Sequence, residues 1–179
     1  MLFIYFLVFY SFLFRKKRIL HIGCAGSDVY KNTDNHLHTT FIRNGFNVDG
    51  FDINVTVINV LKKRFPNHDF FSDFSEFKNN YYDLILVPEV LEHVDNARDF
   101  LDSIFEIKSK SVFITVPNFG GALKHIRYEN NHTIELVHPE HYYWFSPYTL
   151  YNITKKYHKD VVNMYYLNRK LQVGIEIIK

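Results

Sequence analysis

The stretch Ile19-Leu20-His21-Ile22-Gly23-Cys24-Ala25-Gly26-Ser27-Asp28, "ILHIGCAGSD", decides how the rest of the chain is read. An apolar run that breaks into small residues is the pattern of a buried strand entering a tight turn. In an open α/β sheet such a turn lies beyond the carboxyl end of the first strand, where a nucleotide-like ligand is held. A dinucleotide needs Gly-x-Gly-x-x-Gly there, so that backbone can approach a pyrophosphate at a helix N-terminus. Counted from Gly23, the second and third of those positions carry Ala25 and Asp28. The Asp28 carboxylate would repel a pyrophosphate, which argues against a nicotinamide dinucleotide.

S-adenosylmethionine makes a different demand, because it carries no phosphate and ends in a zwitterionic methionine. The turn Gly23-Cys24-Ala25-Gly26 lets that end and the ribose lie against backbone. An acid at the end of a second strand must then accept both ribose hydroxyls. Asp52, followed by Ile53 in "GFDI", stands there, 26 residues after Gly26. Asp73 in "FFSDF" supplies a further acid for the adenine amine. Each acid taken singly reads as an ordinary loop cap, since Asp is common in turns. Taken with the loop, the two read as a cofactor site.

Outward from that turn, the elements alternate. Strands are expected at Arg18–Ile22, Val48–Ile53, His68–Phe71, Asp83–Val87 and Ser111–Asn118, the fourth a continuous apolar run as in a strand covered on both faces. Helices are expected at Asp34–Asn44, at Val55–Phe65 ahead of Pro66, and at Val90–Ile107, where apolar residues recur at helical spacing. Phe119–Phe145 has no period and reads as a functional loop. Ser146-Pro147 caps a helix running to about His158, and Val161–Leu167 and Leu171–Ile178 flank Asn168-Arg169-Lys170 as a hairpin. This order predicts a single α/β domain: a doubly wound, Rossmann-like seven-stranded sheet with an antiparallel C-terminal hairpin.

Composition narrows the function. A net charge of +2 with both signs interspersed gives no electrostatic case for nucleic acid as partner. The single cysteine, Cys24, rules out an internal disulfide and fits a reducing, cytoplasmic compartment. Residues 1–17 form a separate segment ahead of the domain at 18–179. Leu2–Phe14 carries no charge and is followed by Arg15-Lys16-Lys17-Arg18. As a helix it would span about 20 Å, short of a hydrocarbon core of about 30 Å. Three readings stand: a helix packed on the domain, an interfacial anchor making peripheral membrane contact through residues 2–18, or a start that trims a longer region. Its aromatic surface must be covered by something, and the basic flank suits an anionic headgroup region.

The segments "ILHIGCAGS", "VDGFDIN", "FFSDF", "YYDLILVPEVLEHVDN", "SVFITVPN" and "HPEHYYWFSPYTL" resemble those of class I S-adenosylmethionine-dependent methyltransferases, from Arg18 to Lys179. The His-Ile-Gly-Cys opening is similar to a bacterial-type subgroup associated with glycan loci. The resemblance implies S-adenosyl-L-methionine as cofactor and methylation, by O-transfer, of a small-molecule or glycan substrate, with His21, Gly23, Cys24, Gly26, Asp52, Ile53, Asp73 and Glu89 around the cofactor. The chain departs from the family pattern where an acid is usual at His21 and glycines at Ala25 and Ser27. Neutral His21 could accept a proton from the methionine ammonium, and charged His21 would pair with its carboxylate. These departures also motivate a rival reading, a non-catalytic cofactor-binding or scaffold domain.

Glu89, Glu92 and His93 in "PEVLEHV" are spaced to share one helical face. The resemblance extends to ubiquinone-type O-methyltransferases, in which a Glu-x-x-Glu-His set binds magnesium, so a divalent metal is implied as an option. The plainer reading is favoured and assigns no metal ligand: Glu89 touches the cofactor or caps the helix, Glu92 is exposed, and His93 bonds within the domain. His138 and His141 in the long loop are candidate general bases along with Glu89, or else pin the loop, His141 against Tyr142, Tyr143 and Trp144. His21-x-x-Cys24 with His138-x-x-His141 mimics a zinc pattern, but Cys24 is committed to the turn. Arg127, Tyr128 and Glu129 lie in the same loop and nothing singles them out.

Overall fold

The run before Gly23 is a strand, β1 (Arg18–Ile22), and it lies third in a seven-stranded sheet, beside the central strand. The computed structural model describes residues 18–25, 36–124, 139–158 and 162–179. The remaining strands are β2 (Asn47–Phe51), β3 (Phe70–Phe71), β4 (Tyr81–Pro88), β5 (Lys108–Pro117), β6 (Val162–Leu167) and β7 (Gln172–Ile178). The helices are α1 (His36–Arg43), α2 (Val55–Arg64), α3 (Ala97–Glu106), α4 (Phe119–Lys124) and α5 (Pro147–Thr154). The strand order is β3-β2-β1-β4-β5-β7-β6. β1 to β5 are parallel, while β7 pairs antiparallel with both β5 and β6. The chain winds from β1 outward through β2 to β3, then returns to β4 on the other side of β1. The crevice at the carboxyl ends of β1 and β4 is therefore the topological switch point.

Alternation along the strands supplies both faces of the core. Leu20, Ile22, Ile85, Val87, Ile114 and Val116 pack with Ala97, Leu101 and Ile104 of α3. Ile19, Leu84, Leu86 and Phe113 pack with Leu37 and Phe41 of α1 on the opposite face. Each such side chain contributes about 1.5–3 kcal/mol of burial. A polar tie crosses the central strands: Arg18 Nε donates to Asp49 Oδ2 at 3.0 Å, and the Tyr82 hydroxyl donates to the same oxygen at 3.0 Å.

The expected helix over Val90–Ile107 is two elements. A 3-10 turn spans Leu91–His93, Val94 is extended at ψ 143°, and α3 begins at Ala97 behind an Asn96 cap. The Asn96 side chain accepts from Arg98 N and Asp99 N, so a cap that sequence periodicity hides restarts the helix. The expected loop Phe119–Phe145 opens with α4, and its residues 125–138, including His138, Arg127, Tyr128 and Glu129, lie outside the described residues. So do Gly26, Ser27, Asp28 and the segment 1–17. β2 stops at Phe51, which leaves Asp52 and Ile53 just past its end, and β3 keeps only two residues. The hairpin is as expected, its turn made by Asn168, Arg169 and Lys170, all at positive φ. No helix among the described residues is long and apolar enough to cross a membrane.

Candidate active site

β1 ends at Ile22 and the backbone reverses at Gly23, φ 77°. A Cβ there would stand 2.5 Å from Val90 Cγ2, so both the conformation and the space require glycine. The N–H groups of Gly23 and Cys24 donate to the Phe51 carbonyl at 2.8 and 3.1 Å, which ties the turn to the end of β2. Asp52 completes the tie: Oδ2 accepts from Ala25 N at 3.0 Å and Oδ1 from Asn54 N at 2.9 Å. Each carboxylate oxygen keeps a second lone pair, enough for two ribose hydroxyls. Beside it Ile53 is 82% exposed and offers an apolar cover. A cleft of about 580 Å³ opens here, with Gly23, Asp52, Ile53 and Phe74 at one end and Glu89, His93 and Glu140 at the other. That volume suits a cofactor-sized ligand.

At the far end, Glu89 follows Pro88 with a left-handed φ of 53°. Its N–H donates to the Thr115 carbonyl at 2.9 Å and the Thr115 hydroxyl donates to its Oε1 at 2.9 Å. The sharp turn and the 3-10 turn after it carry Glu92 inward. Glu92 is 1% exposed and neither carboxylate oxygen has a hydrogen-bond partner. Burial, and then the charge of Glu89, push its carboxyl up to about 9. Burial also raises Glu89, against the opposing effects of Gln172 and Thr115. His93 Nε2 stands 4.0 Å from Glu92 Oε1. The His141 ring meets His93 edge to face, centroids 4.6 Å apart. Tyr142 N donates to the Glu92 carbonyl at 2.8 Å and holds that segment in place. One ligand atom each from Glu92, His93 and His141 lies within 4.8 Å of the others.

A buried carboxylate with two orphan oxygens requires a proton or a cation. Imidazole and carboxylate donors together form a set that first-row divalent ions accept. The residues fit such an ion. Two parts of the plain reading of this motif are corrected: Glu92 is buried rather than exposed, and Glu92 and His93 leave a 3-10 turn, not one face of a long helix. Its other parts hold, since His93 Nδ1 lies 3.1 Å from the Glu140 carbonyl within the domain and Glu89 lines the cleft. His141, expected as a base or a packing residue, joins them from 48 positions along the chain. Sequence reasoning missed that grouping. The Glu-x-x-Glu-His spacing was the available signal, but nothing local paired it with His141.

Other expected residues fall elsewhere. His21 does not reach the cleft: its ring is fully buried, with Nδ1 3.1 Å from His38 Nδ1 and its edge against Phe41. Strand alternation turns it with Ile19 toward α1, and burial lowers its pKa to about 3, so it is neutral and cannot pair with a carboxylate. The Cys24 side chain is buried among Val57, Ile58, Leu61 and Phe70, leaving only backbone for the ligand. Asp73 is exposed and caps the 3-10 turn Phe74–Glu76, accepting from Ser75 N at 2.7 Å, and it is Phe74 that lines the cleft. Val94, Phe100 and Ser103 also line it and were not anticipated.

A sheet of this order, with a glycine turn anchored by an acid at its switch point, is the architecture of class I methyltransferases. The chain belongs to the methyltransferase-domain family, whose model matches residues 4–162. No curated protein matches the sequence. Among solved structures, the chain resembles an S-adenosylmethionine-dependent methyltransferase from Archaeoglobus fulgidus at 17% identity and TM-score 0.69, covering 98% of this chain and 92% of that one. It resembles the plantazolicin methyltransferase BamL, solved with a desmethyl-plantazolicin analogue and S-adenosylhomocysteine, at 15% identity and TM-score 0.66, covering 98% and 82%. A chain of the Pnkp1/Rnl/Hen1 RNA repair complex matches at 19% identity and TM-score 0.66, with 96% of this chain spanning 40% of that one.

Proposed function

We propose that this protein O-methylates a hydroxyl of a small-molecule or glycan acceptor, assisted by a divalent ion. The observation that carries the reading is Glu92, buried with both oxygens unpartnered and facing His93 and His141 at the end of the cofactor cleft. Glu92, His93 and His141 would hold the ion, with Glu89 as a fourth donor close enough for its charge to raise Glu92. The ion supplies charge that lowers the pKa of an acceptor hydroxyl. Asp52 and the Gly23 turn hold the ribose and methionine end, because methyl transfer needs in-line alignment above all. In the balance of the reaction the hydroxyl oxygen gains the methyl, the sulfonium becomes a thioether, and the hydroxyl proton leaves to solvent.

The test combines titration calorimetry with S-adenosylhomocysteine and a labelled-methyl screen over hydroxylated metabolites, glycan intermediates and RNA oligonucleotides. The expected result is cofactor-product binding, with transfer that EDTA abolishes and Mn²⁺ restores. Transfer indifferent to EDTA removes the metal, and label on RNA alone removes the acceptor class. Binding without transfer to any acceptor supports the non-catalytic reading instead.

A further inference from the structure

Thr115 holds Glu89 at two points. Its carbonyl accepts the Glu89 N–H and its hydroxyl donates to Glu89 Oε1, both at 2.9 Å. The side chain of Gln172, the first residue of β7, lies beside the same carboxylate and lowers the pKa that burial raises. In the β5–β7 register Gln172 stands opposite Pro117, which shares a face of β5 with Thr115, so both side chains approach Glu89 from one side of the sheet. Thr115 is fully buried, at a position where the β5 ladder itself uses only backbone. A left-handed, non-glycine residue persists where its surroundings over-determine it, and here strands β5 and β7 do so.

We propose that Thr115 and Gln172 are positioning residues: they fix the Glu89 carboxylate near the grouped Glu92, His93 and His141, so that a further carboxylate donor is held ready for the metal site. This rests on the metal reading above. Without these two neighbours the Glu89 side chain would be free to rotate into the open cleft, and the ion would lose a pre-aligned donor. Partners that orient a ligand in this way are worth about 10–100-fold in metal affinity.

The experiment measures Mn²⁺ affinity by electron paramagnetic resonance and S-adenosylhomocysteine affinity by calorimetry, on the full chain carrying Thr115→Val, Thr115→Ser or Gln172→Met. Thr115→Val should weaken Mn²⁺ binding by about 10-fold or more, with Thr115→Ser restoring most of it and Gln172→Met giving a smaller loss. Binding of S-adenosylhomocysteine should be unchanged in all three, since its anchors are Asp52 and Gly23. The proposal is overturned if Thr115→Val binds Mn²⁺ as the parent does, or loses both affinities in equal measure. A parent protein that binds S-adenosylhomocysteine but no Mn²⁺ overturns the metal reading as well, whereas normal Mn²⁺ binding by Thr115→Val removes this proposal alone.

Discussion

Asp52 spends only part of its carboxylate on the fold. It closes the Gly23 turn through Ala25 N and Asn54 N, and its remaining lone pairs face the ligand end of the cleft. Charge-assisted bonds of this kind contribute about 1.5–3 kcal/mol each. Asp52→Ala should therefore weaken S-adenosylhomocysteine binding at least about tenfold, a decade being about 1.4 kcal/mol, as read by calorimetry. An unchanged affinity would leave Asp52 as an anchor of the loop only. This residue was legible in the sequence because an acid at a strand end needs only local pattern to be placed. Glu92 was not, because its burial depends on Glu89 adopting a left-handed turn that its own residue type disfavours.

At the scale of elements, β1 and α1 meet through two imidazoles. His21 and His38 stack with centroids 5.3 Å apart, and Phe41 and Phe70 close the sides. Burial lowers both pKa values, His21 to about 3, and the neighbouring His68 lowers His38 further. In the unfolded chain each ring takes a proton near pH 6.5, so the unfolded state binds more protons below that value. Their contribution to stability is complete above about pH 6.5 and shrinks by about 1.4 kcal/mol per ring per pH unit below it. The raised carboxyls of Glu89 and Glu92 act in the opposite sense, gaining stability as pH falls, so the parent slope is a difference. The histidine part is isolated by comparison. A His21→Leu, His38→Leu chain should gain on the parent in urea-unfolding free energy between pH 6.5 and 5. A constant gap over that range would mean that the pair is already protonated in the folded state.

For the whole molecule, the site is a junction of distant parts. The glycine-turn end joins β1, β2 and the start of the Phe74 turn, and the end proposed for an ion joins the ends of β4 and β5 with the segment at His141. A ligand in that junction stabilises every part it bridges. At about 100 times its dissociation constant it adds about 2.7 kcal/mol. For a chain of this length each kcal/mol raises the melting temperature by about 2–4 °C. S-adenosylhomocysteine should therefore raise it by about 5–10 °C in a thermal melt. A flat response would mean that the cleft does not take the nucleoside.

The strand-then-glycine turn, the acid after β2, the Ser146-Pro147 helix start and the terminal hairpin all follow from patterns a few residues long. Local sterics and period determine them, and with them the sheet and the place of its ligand crevice. The hidden break at Asn96 marks the limit of that approach: the apolar stripe continues past it, and only the cap geometry reveals it. His21 shows the same limit on one strand, since the sequence places it beside the turn while the face it occupies depends on what packs there. The grouping of Glu92, His93 and His141 was decided by tertiary structure alone. It needs a strained turn, braced by the bonds from Thr115 of β5 to Glu89, and a segment brought back from 48 residues away. Those are energies of contact between distant parts of the chain, which no short window of sequence contains.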